Sequence, residues 1–97
     1  MYQTSHKIDE LECSNLKVEK LFFNAPTEVL AISLEEGKEF PEHSSPRDAF
    51  LVMLEGQVLF YINDREYPLR KHQTFNFPAE KLHAVKAIEN AKFLIIR

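Results

Sequence analysis

Residues 49–62 decide the fold, and they read Ala49-Phe50-Leu51-Val52-Met53-Leu54-Glu55-Gly56-Gln57-Val58-Leu59-Phe60-Tyr61-Ile62. A glycine separates two runs of β-prone residues, and successive side chains of a strand point to opposite faces of its sheet. Val58, Phe60 and Ile62 therefore share one face, and Leu59 and Tyr61 share the other. The stretch predicts two strands that are apolar on both faces, which implies that a second layer covers them.

The chain has two candidates for the covering layer. One is the N-terminal segment of the same chain, and the other is a second copy that docks face to face. We expect a homodimer whose interface lies around Phe50, Val52, Leu59 and Tyr61. Replacing Leu59 or Tyr61 with glutamate is the corresponding test.

The rest of the chain continues the same pattern of short strands and tight turns, with no amphipathic helical window of three turns. This pattern predicts an all-β, single-domain jelly-roll barrel, because stacking or closure hides both the apolar faces and the sheet edges. Residues 17–97 would form the barrel, and residues 1–16 a short helical turn or an added edge strand. Residues 41–48 are expected to be a connection. The predicted strands are 18–23, 28–34, 49–54, 57–62, 66–69, 74–77, 82–88 and 92–96.

Composition excludes several classes of function. The 97 residues include 12 basic and 15 acidic side chains, giving a formal charge of −3, which does not suit a nucleic-acid-binding surface. The longest apolar runs are far shorter than the roughly 18 residues of a membrane span. Gly37 and Gly56 are the only glycines, so the clustered glycines of nucleotide-binding loops are absent. The single Cys13 suggests a reducing, cytoplasmic location.

The spacing of Gly37, His43 and Gly56 resembles the first of the two motifs of the cupin superfamily, whose members are small jelly-roll β-barrels. That motif is a glycine, five residues, His-x-His, three or four residues, a glutamate, six residues and a glycine. Ser45 stands where the second histidine of the motif would be, and Ala49 stands where the glutamate would be. The spacing is kept while two side chains are replaced.

Residues 72–87 resemble the second cupin motif, which is a glycine, five residues, Pro-x-Gly, two residues, a histidine, three residues and an asparagine. Pro78 and His83 hold their places in the motif, while His72, Glu80 and Ala87 replace its other members. The two motifs follow each other in the family's order, so the resemblance supports the jelly-roll expectation.

Membership of this superfamily would imply a divalent transition metal held by three histidines and one glutamate inside the barrel. Only His43 and His83 remain as metal ligands, and two imidazoles rarely hold such a metal without help. Asp48 is a conceivable third ligand, but its offset of one residue points it to the opposite face unless the strand begins with a bulge. We therefore expect a degenerate metal site.

The resulting hypothesis is a non-enzymatic, small-molecule-binding or regulatory barrel with an apolar pocket and a few polar groups. One alternative is a metal-dependent enzyme of the dioxygenase or isomerase type that uses His43 and His83. The other is a dimerising structural module with a vestigial pocket. The residues expected to contact a ligand are His43, Ser45, Ala49, Met53, Phe60, Phe77 and His83.

Overall fold

The computed structural model of the protein describes all 97 residues, Met1–Arg97, as nine strands and one short helix. No helix is long and apolar enough to span a membrane. In chain order the elements are α1 (Lys7–Glu10), β1 (Leu16–Asn24), β2 (Thr27–Leu34), β3 (Glu39–His43), β4 (Ala49–Glu55), β5 (Gln57–Ile62), β6 (Arg65–Arg70), β7 (Thr74–Phe77), β8 (His83–Ala87) and β9 (Ala91–Ile96).

The strands form two antiparallel sheets that pack face to face. The first sheet has the order β1-β2-β9-β4-β7, and the second has the order β3-β8-β5-β6. Side chains from the inner faces of both sheets form one core, in which Leu51 of β4 and Phe60 of β5 are buried. The all-β, jelly-roll prediction is confirmed.

The hairpin between β5 and β6 shows how local sequence sets the register. Asn63 and Asp64 form a two-residue loop with φ angles of 54° and 60°, and Ile62 pairs with Arg65 across it. Positive φ at both central residues is the geometry of a type I′ turn, whose twist matches that of the flanking strands. Asn and Asp tolerate this geometry better than most side chains do, so the predicted turn position follows from these two residues.

The prediction of a connection over residues 41–48 is wrong in its first part, because residues 41–43 belong to β3. The strand escaped detection because it contains Pro41 and lacks clear alternation of apolar residues. Proline is tolerated in a strand at the edge of a sheet, and β3 lies at the edge of the second sheet. The strand pairs with β8, with Phe40 opposite Val85 and His43 opposite His83.

The predicted interface around Phe50, Val52, Leu59 and Tyr61 does not form a single surface. The first two residues lie on β4 of the first sheet, and the other two lie on β5 of the second sheet. Their immediate neighbours along each strand are buried in the shared core, so the two pairs point away from each other on opposite outer faces. The prediction requires β4 and β5 to be neighbours in one sheet, whereas the turn between them crosses from the first sheet to the second.

The N-terminal segment covers one end of the outer face of the first sheet. The Ser33 hydroxyl donates a hydrogen bond of 2.6 Å to the Glu12 carbonyl, and Lys92 Nζ donates one of 2.7 Å to the Ile8 carbonyl. Ser33 is therefore buried although its side chain lies on the outer face. The chain thus supplies part of its own second layer.

Candidate ligand-binding site

A cavity of about 350 Å³ lies between the two sheets, at the end of the barrel where β4 and β8 begin. Ten of its sixteen lining residues are hydrophobic, and the polar ones lie on β3, on the connection that follows it, at the start of β8 and after β9. This volume falls at the small end of the range of pockets that bind small organic molecules. The cavity thus combines an apolar wall with a few polar groups.

The structure brings six of the seven predicted ligand-contacting residues together around this cavity. Met53 is the exception, since it is fully buried in the core and does not line the cavity. It lies four residues along β4 from Ala49, which corresponds to about 13 Å in a strand. The six residues that line the cavity are His43, Ser45, Ala49, Phe60, Phe77 and His83.

His43 and His83 meet because β3 pairs with β8. The two residues are opposite each other in this antiparallel pair, and their ring centroids are 4.3 Å apart with the rings tilted by 65°. Directly opposed residues of an antiparallel pair have Cβ atoms about 4.5–5.5 Å apart, so the register alone brings the imidazoles into contact. His83 is buried, while His43 is half-buried.

The hydrogen bonds of the two rings decide which nitrogen carries the proton. His43 Nδ1 lies 2.6 Å from the Pro41 carbonyl oxygen, and His83 Nδ1 lies 2.9 Å from the Lys81 carbonyl oxygen. A carbonyl oxygen only accepts, so each Nδ1 must carry the hydrogen and donate it. In the uncharged imidazoles, each Nε2 then has a lone pair and acts as an acceptor.

Aromatic rings surround both imidazoles. Phe40 stacks on His43, with ring centroids 4.2 Å apart and an interplanar angle of 16°, and Phe60 lies nearly parallel to His83 at 5.4 Å. Phe77 packs against His83 at 4.6 Å. The polar pair is therefore bordered by aromatic rings, which restrict the orientation of both imidazoles.

Burial lowers the pKa of the His83 imidazole below its ordinary value. The positive charge that His43 can carry lowers this pKa further, whereas the hydrogen bond to the Lys81 carbonyl acts in the opposite direction. The net effect keeps His83 uncharged at neutral pH.

Arg97 is the one charged side chain that lines the cavity, and the sequence analysis missed it. Its Nε donates a hydrogen bond of 2.9 Å to Glu28 Oε1, and its Nη1 donates one of 3.3 Å to the Ser45 hydroxyl. The hydrogen bond from Arg97 lowers the pKa of the Glu28 carboxyl. Strand parity was the available signal, because Arg97 is two residues beyond Ile95 and therefore lies on the inner face.

The side chains at this site do not fit a divalent transition metal. No three His, Cys, Asp or Glu side chains come together anywhere in the chain in an arrangement that could hold a metal ion. Asp48, the conceivable third ligand, instead accepts a hydrogen bond of 2.8 Å from the Ala79 backbone N–H through its Oδ1. His43 and His83 thus remain a pair, whereas transition-metal sites in proteins typically have three or four protein ligands.

Residues 30–97, more than two thirds of the chain, match the family model of the cupin domain. The chain belongs to the cupin family. Among solved structures, this cupin is similar to a conserved protein of unknown function from Streptococcus pyogenes, with 29% identity and a TM-score of 0.79. The match covers 88% of this chain and 75% of that protein. No curated protein matches the sequence.

Two further structures are similar to this cupin in fold. A cupin superfamily protein from Desulfitobacterium hafniense is 18% identical, with a TM-score of 0.86 and coverage of 99% of this chain and 90% of its own. An RmlC-like cupin from Desulfovibrio desulfuricans is 22% identical, with a TM-score of 0.84 and coverage of 98% and 95%. At these identities the similarity extends to the fold alone.

Two positions of the second motif where the family has glycine carry larger side chains in this cupin. His72 and Glu80 have φ angles of 72° and 67°, the left-handed region that glycine favours. The Glu80 backbone N–H donates a hydrogen bond of 2.8 Å to the Ser45 carbonyl, and Asp48 holds the preceding residue, Ala79. These bonds hold the turn before β8 in place and with it the position of His83.

The lowered pKa of His83 predicts a pH dependence of stability. Below about pH 6.5, the ordinary value for histidine, the unfolded chain binds a proton at this position more readily than the folded chain does. The free energy of unfolding should therefore decrease as the pH falls below this value. Urea unfolding at a series of pH values from 7.5 to 5.5 measures the slope. The His83→Gln variant should show a smaller slope, and equal slopes in both proteins would contradict the assignment.

Proposed function

We propose that this cupin is a non-enzymatic barrel that binds a small organic molecule between its two sheets, without a metal ion. The observation that carries the proposal is the cavity itself, about 350 Å³ in volume, with a mainly apolar lining and two imidazoles that present Nε2 acceptors. Such a combination of shape and polarity is typical of ligand sites in small barrels. A cytoplasmic location for this protein stays a prediction.

The competing hypothesis is a metal-dependent enzyme that uses His43 and His83 as ligands. It requires a third ligand, and no carboxylate, thiolate or further imidazole joins the pair. Ser45 and Ala49 occupy the positions of the two missing ligands, and their smaller side chains leave space that a ligand can fill. The chemistry of the lining therefore favours binding of an organic molecule.

The first experiment is native mass spectrometry and elemental analysis of untagged protein purified without chelator, followed by a thermal-shift screen of small organic molecules. We expect negligible transition metal per chain and either a retained molecule or one that raises the melting temperature. The effect of this molecule should weaken in His43→Ala and His83→Ala. It should persist in Met53→Leu, a buried change outside the cavity lining. About one metal ion per chain, lost in both histidine variants, would support the enzyme instead, and a cavity that binds nothing would overturn the proposal.

We also propose that two copies of the chain associate through the outer face of the first sheet. Cross-strand register places Phe22, Val29, Ile96 and Phe50 in one row across this face. Phe22 is 50% exposed and Phe50 is 41% exposed, while the chain's own N-terminal segment covers only the far end of the face. None of the four residues is charged, so the row can meet its own copy in a two-fold contact without repulsion between like charges.

Phe50→Glu is expected to convert a dimer into a monomer, because the two-fold contact would bring two carboxylates together in an apolar surface. Multi-angle light scattering over a range of concentrations measures the change in mass. Leu59→Glu places the same charge on the opposite outer face and should leave the dimer intact. A wild-type protein that is monomeric at high concentration would contradict this proposal.

A further inference from the structure

The hydrogen-bonding groups around the cavity define which kind of ligand it can take, an inference that rests on the proposed function. Each imidazole makes one hydrogen bond within the protein, through Nδ1, to a backbone carbonyl. No fully buried side-chain nitrogen or oxygen in the protein lacks a hydrogen-bond partner. Each Nε2 has no partner within the protein, so each must be accessible to solvent or to a ligand. Both rings line the cavity, which therefore offers two acceptors at its polar end.

Ser45 supplies the complementary donor. Its hydroxyl oxygen accepts hydrogen bonds from the Arg47 backbone N–H at 3.4 Å and from Arg97 Nη1 at 3.3 Å. Both bonds use the oxygen as an acceptor, so the hydroxyl hydrogen is available to donate. Ser45 is buried and lines the cavity, so a ligand there can accept this hydrogen.

The donor and acceptor pattern of the cavity favours an uncharged ligand. Arg97 is the one permanently cationic side chain of its lining, and Arg97 and Lys20 both pair with the Glu28 carboxylate, at 2.9 Å and 3.3 Å. A ligand carboxylate has no hydrogen to donate, so at the imidazole pair it would face the Nε2 lone pairs of the uncharged rings and leave both acceptors without a partner. An anion is therefore disfavoured relative to a neutral molecule of the same size.

The shape of the wall favours a flat ring. Phe40 and Phe60 lie nearly parallel to His43 and His83, respectively, and Phe77 packs beside them, so the polar end is bounded by aromatic rings. Aromatic rings pack favourably against each other in offset or edge-to-face arrangements. A hydroxyl group on such a ring has one hydrogen to donate to an imidazole Nε2 and lone pairs to accept from the Ser45 hydroxyl, and both partners line the cavity.

We infer that the ligand of this cavity is an uncharged aromatic ring that carries a hydroxyl group, bound with its O–H donating to the imidazole pair. Phenol, anisole and benzoate are the probes, since each has one benzene ring with a small substituent and the three differ in hydrogen-bond donor and in charge. Anisole keeps the oxygen but lacks the hydrogen, and benzoate replaces the donor with a negative charge.

The experiment titrates each probe into wild-type protein carrying ¹³C-labelled isoleucine methyl groups and ¹⁵N-labelled histidine. Ile32 and Ile95 line the cavity, so their methyl signals report any occupant. Phenol should bind at least about tenfold more tightly than anisole, a difference of about 1.4 kcal/mol, since anisole leaves the imidazole acceptor without the donor that phenol supplies. The Nε2 resonances of the histidines should shift with phenol and not with anisole.

The variants His83→Phe and His43→Phe each keep a ring and remove one acceptor. We expect the preference for phenol over anisole to shrink in at least one of them, while anisole binding stays within about twofold of the wild type. If either variant fails to fold, the difference between phenol and anisole binding to the wild-type protein still tests the inference.

Equal binding of phenol and anisole, or tightest binding of benzoate, would overturn the inference while leaving ligand binding by the cavity in place. The same holds if none of the three probes binds but another molecule from a fragment library shifts the Ile32 and Ile95 signals. If no molecule in the library shifts these signals, the proposed function itself fails.

Discussion

Replacing Gly56 with alanine is expected to lower the free energy of unfolding by at least about 3 kcal/mol. Gly56 lies between β4 and β5 with a φ angle of 74°, and an added Cβ would come within 2.1 Å of the Asn90 backbone oxygen. Backbone atoms cannot move aside as the end of a flexible side chain can. The turn that contains Asn90 is itself held, since Asn90 Oδ1 accepts a hydrogen bond of 2.8 Å from the Glu36 backbone N–H.

The matched control is Gly37→Ala. Gly37 has a similar φ angle of 81°, but an added Cβ would meet nothing within 4 Å. This variant therefore carries only the cost of a left-handed conformation, about 1–2 kcal/mol for a residue with a Cβ. Urea unfolding followed by circular dichroism compares the two variants. A loss in Gly56→Ala no larger than in Gly37→Ala would show that the turns around Gly56 can separate without penalty.

Introducing the histidine and the glutamate of the cupin motif that this chain lacks should create a metal site. The double variant Ser45→His with Ala49→Glu is expected to bind Zn²⁺ or Mn²⁺ at least about a thousandfold more tightly than the wild type. Both positions line the same cavity as His43 and His83, so the new side chains would complete a set of three imidazoles and one carboxylate. Four-ligand zinc sites bind with about 10–16 kcal/mol, and two of the four ligands should contribute at least about 4 kcal/mol, which corresponds to a factor of a thousand.

Elemental analysis after dialysis and direct titration with each metal measure the effect. Ser45→His alone provides three imidazoles and should be intermediate in affinity, which tests whether each ligand contributes. Without metal, the double variant should be less stable than the wild type, because it places a carboxylate in a mainly apolar cavity. A folded double variant that binds metal no better than the wild type would show that His43 and His83 do not face the added groups.

Restored metal binding would show that the side chains at positions 45 and 49 decide whether this end of the barrel holds a metal. An imidazole at position 45 and a carboxylate at position 49 would supply the groups that a metal needs, whereas Ser45 and Ala49 leave open space between the sheets. The same barrel can thus serve a different chemistry with two substitutions, since function depends on the site and the fold alone does not fix it.

The candidate site was predictable from the sequence to the extent that it depends on motif spacing and strand parity. Spacing identified His43 and His83, and alternation placed Phe60 on an inner face. Alternation also predicted one ligand contact wrongly, because Met53 shares the inner face of its strand with Ala49 but lies beyond the cavity. A residue on the inner face lines the cavity only if it also lies at the cavity's end of the barrel. Alternation assigns a residue to a face of the sheet but contains no information on its position along the barrel axis.

What the sequence by itself determined is the set of local features: β-prone runs, their inner and outer faces, and turn residues such as Asn63 and Asp64. Only the tertiary structure decided which strands are neighbours. The pairing of β3 with β8 joins His43 to His83 across forty residues of chain, and Arg97 reaches Glu28 from the far end of the sequence. Alternation is a property of each strand alone, whereas register and sheet membership depend on long-range packing of the whole core, which no short window of sequence encodes.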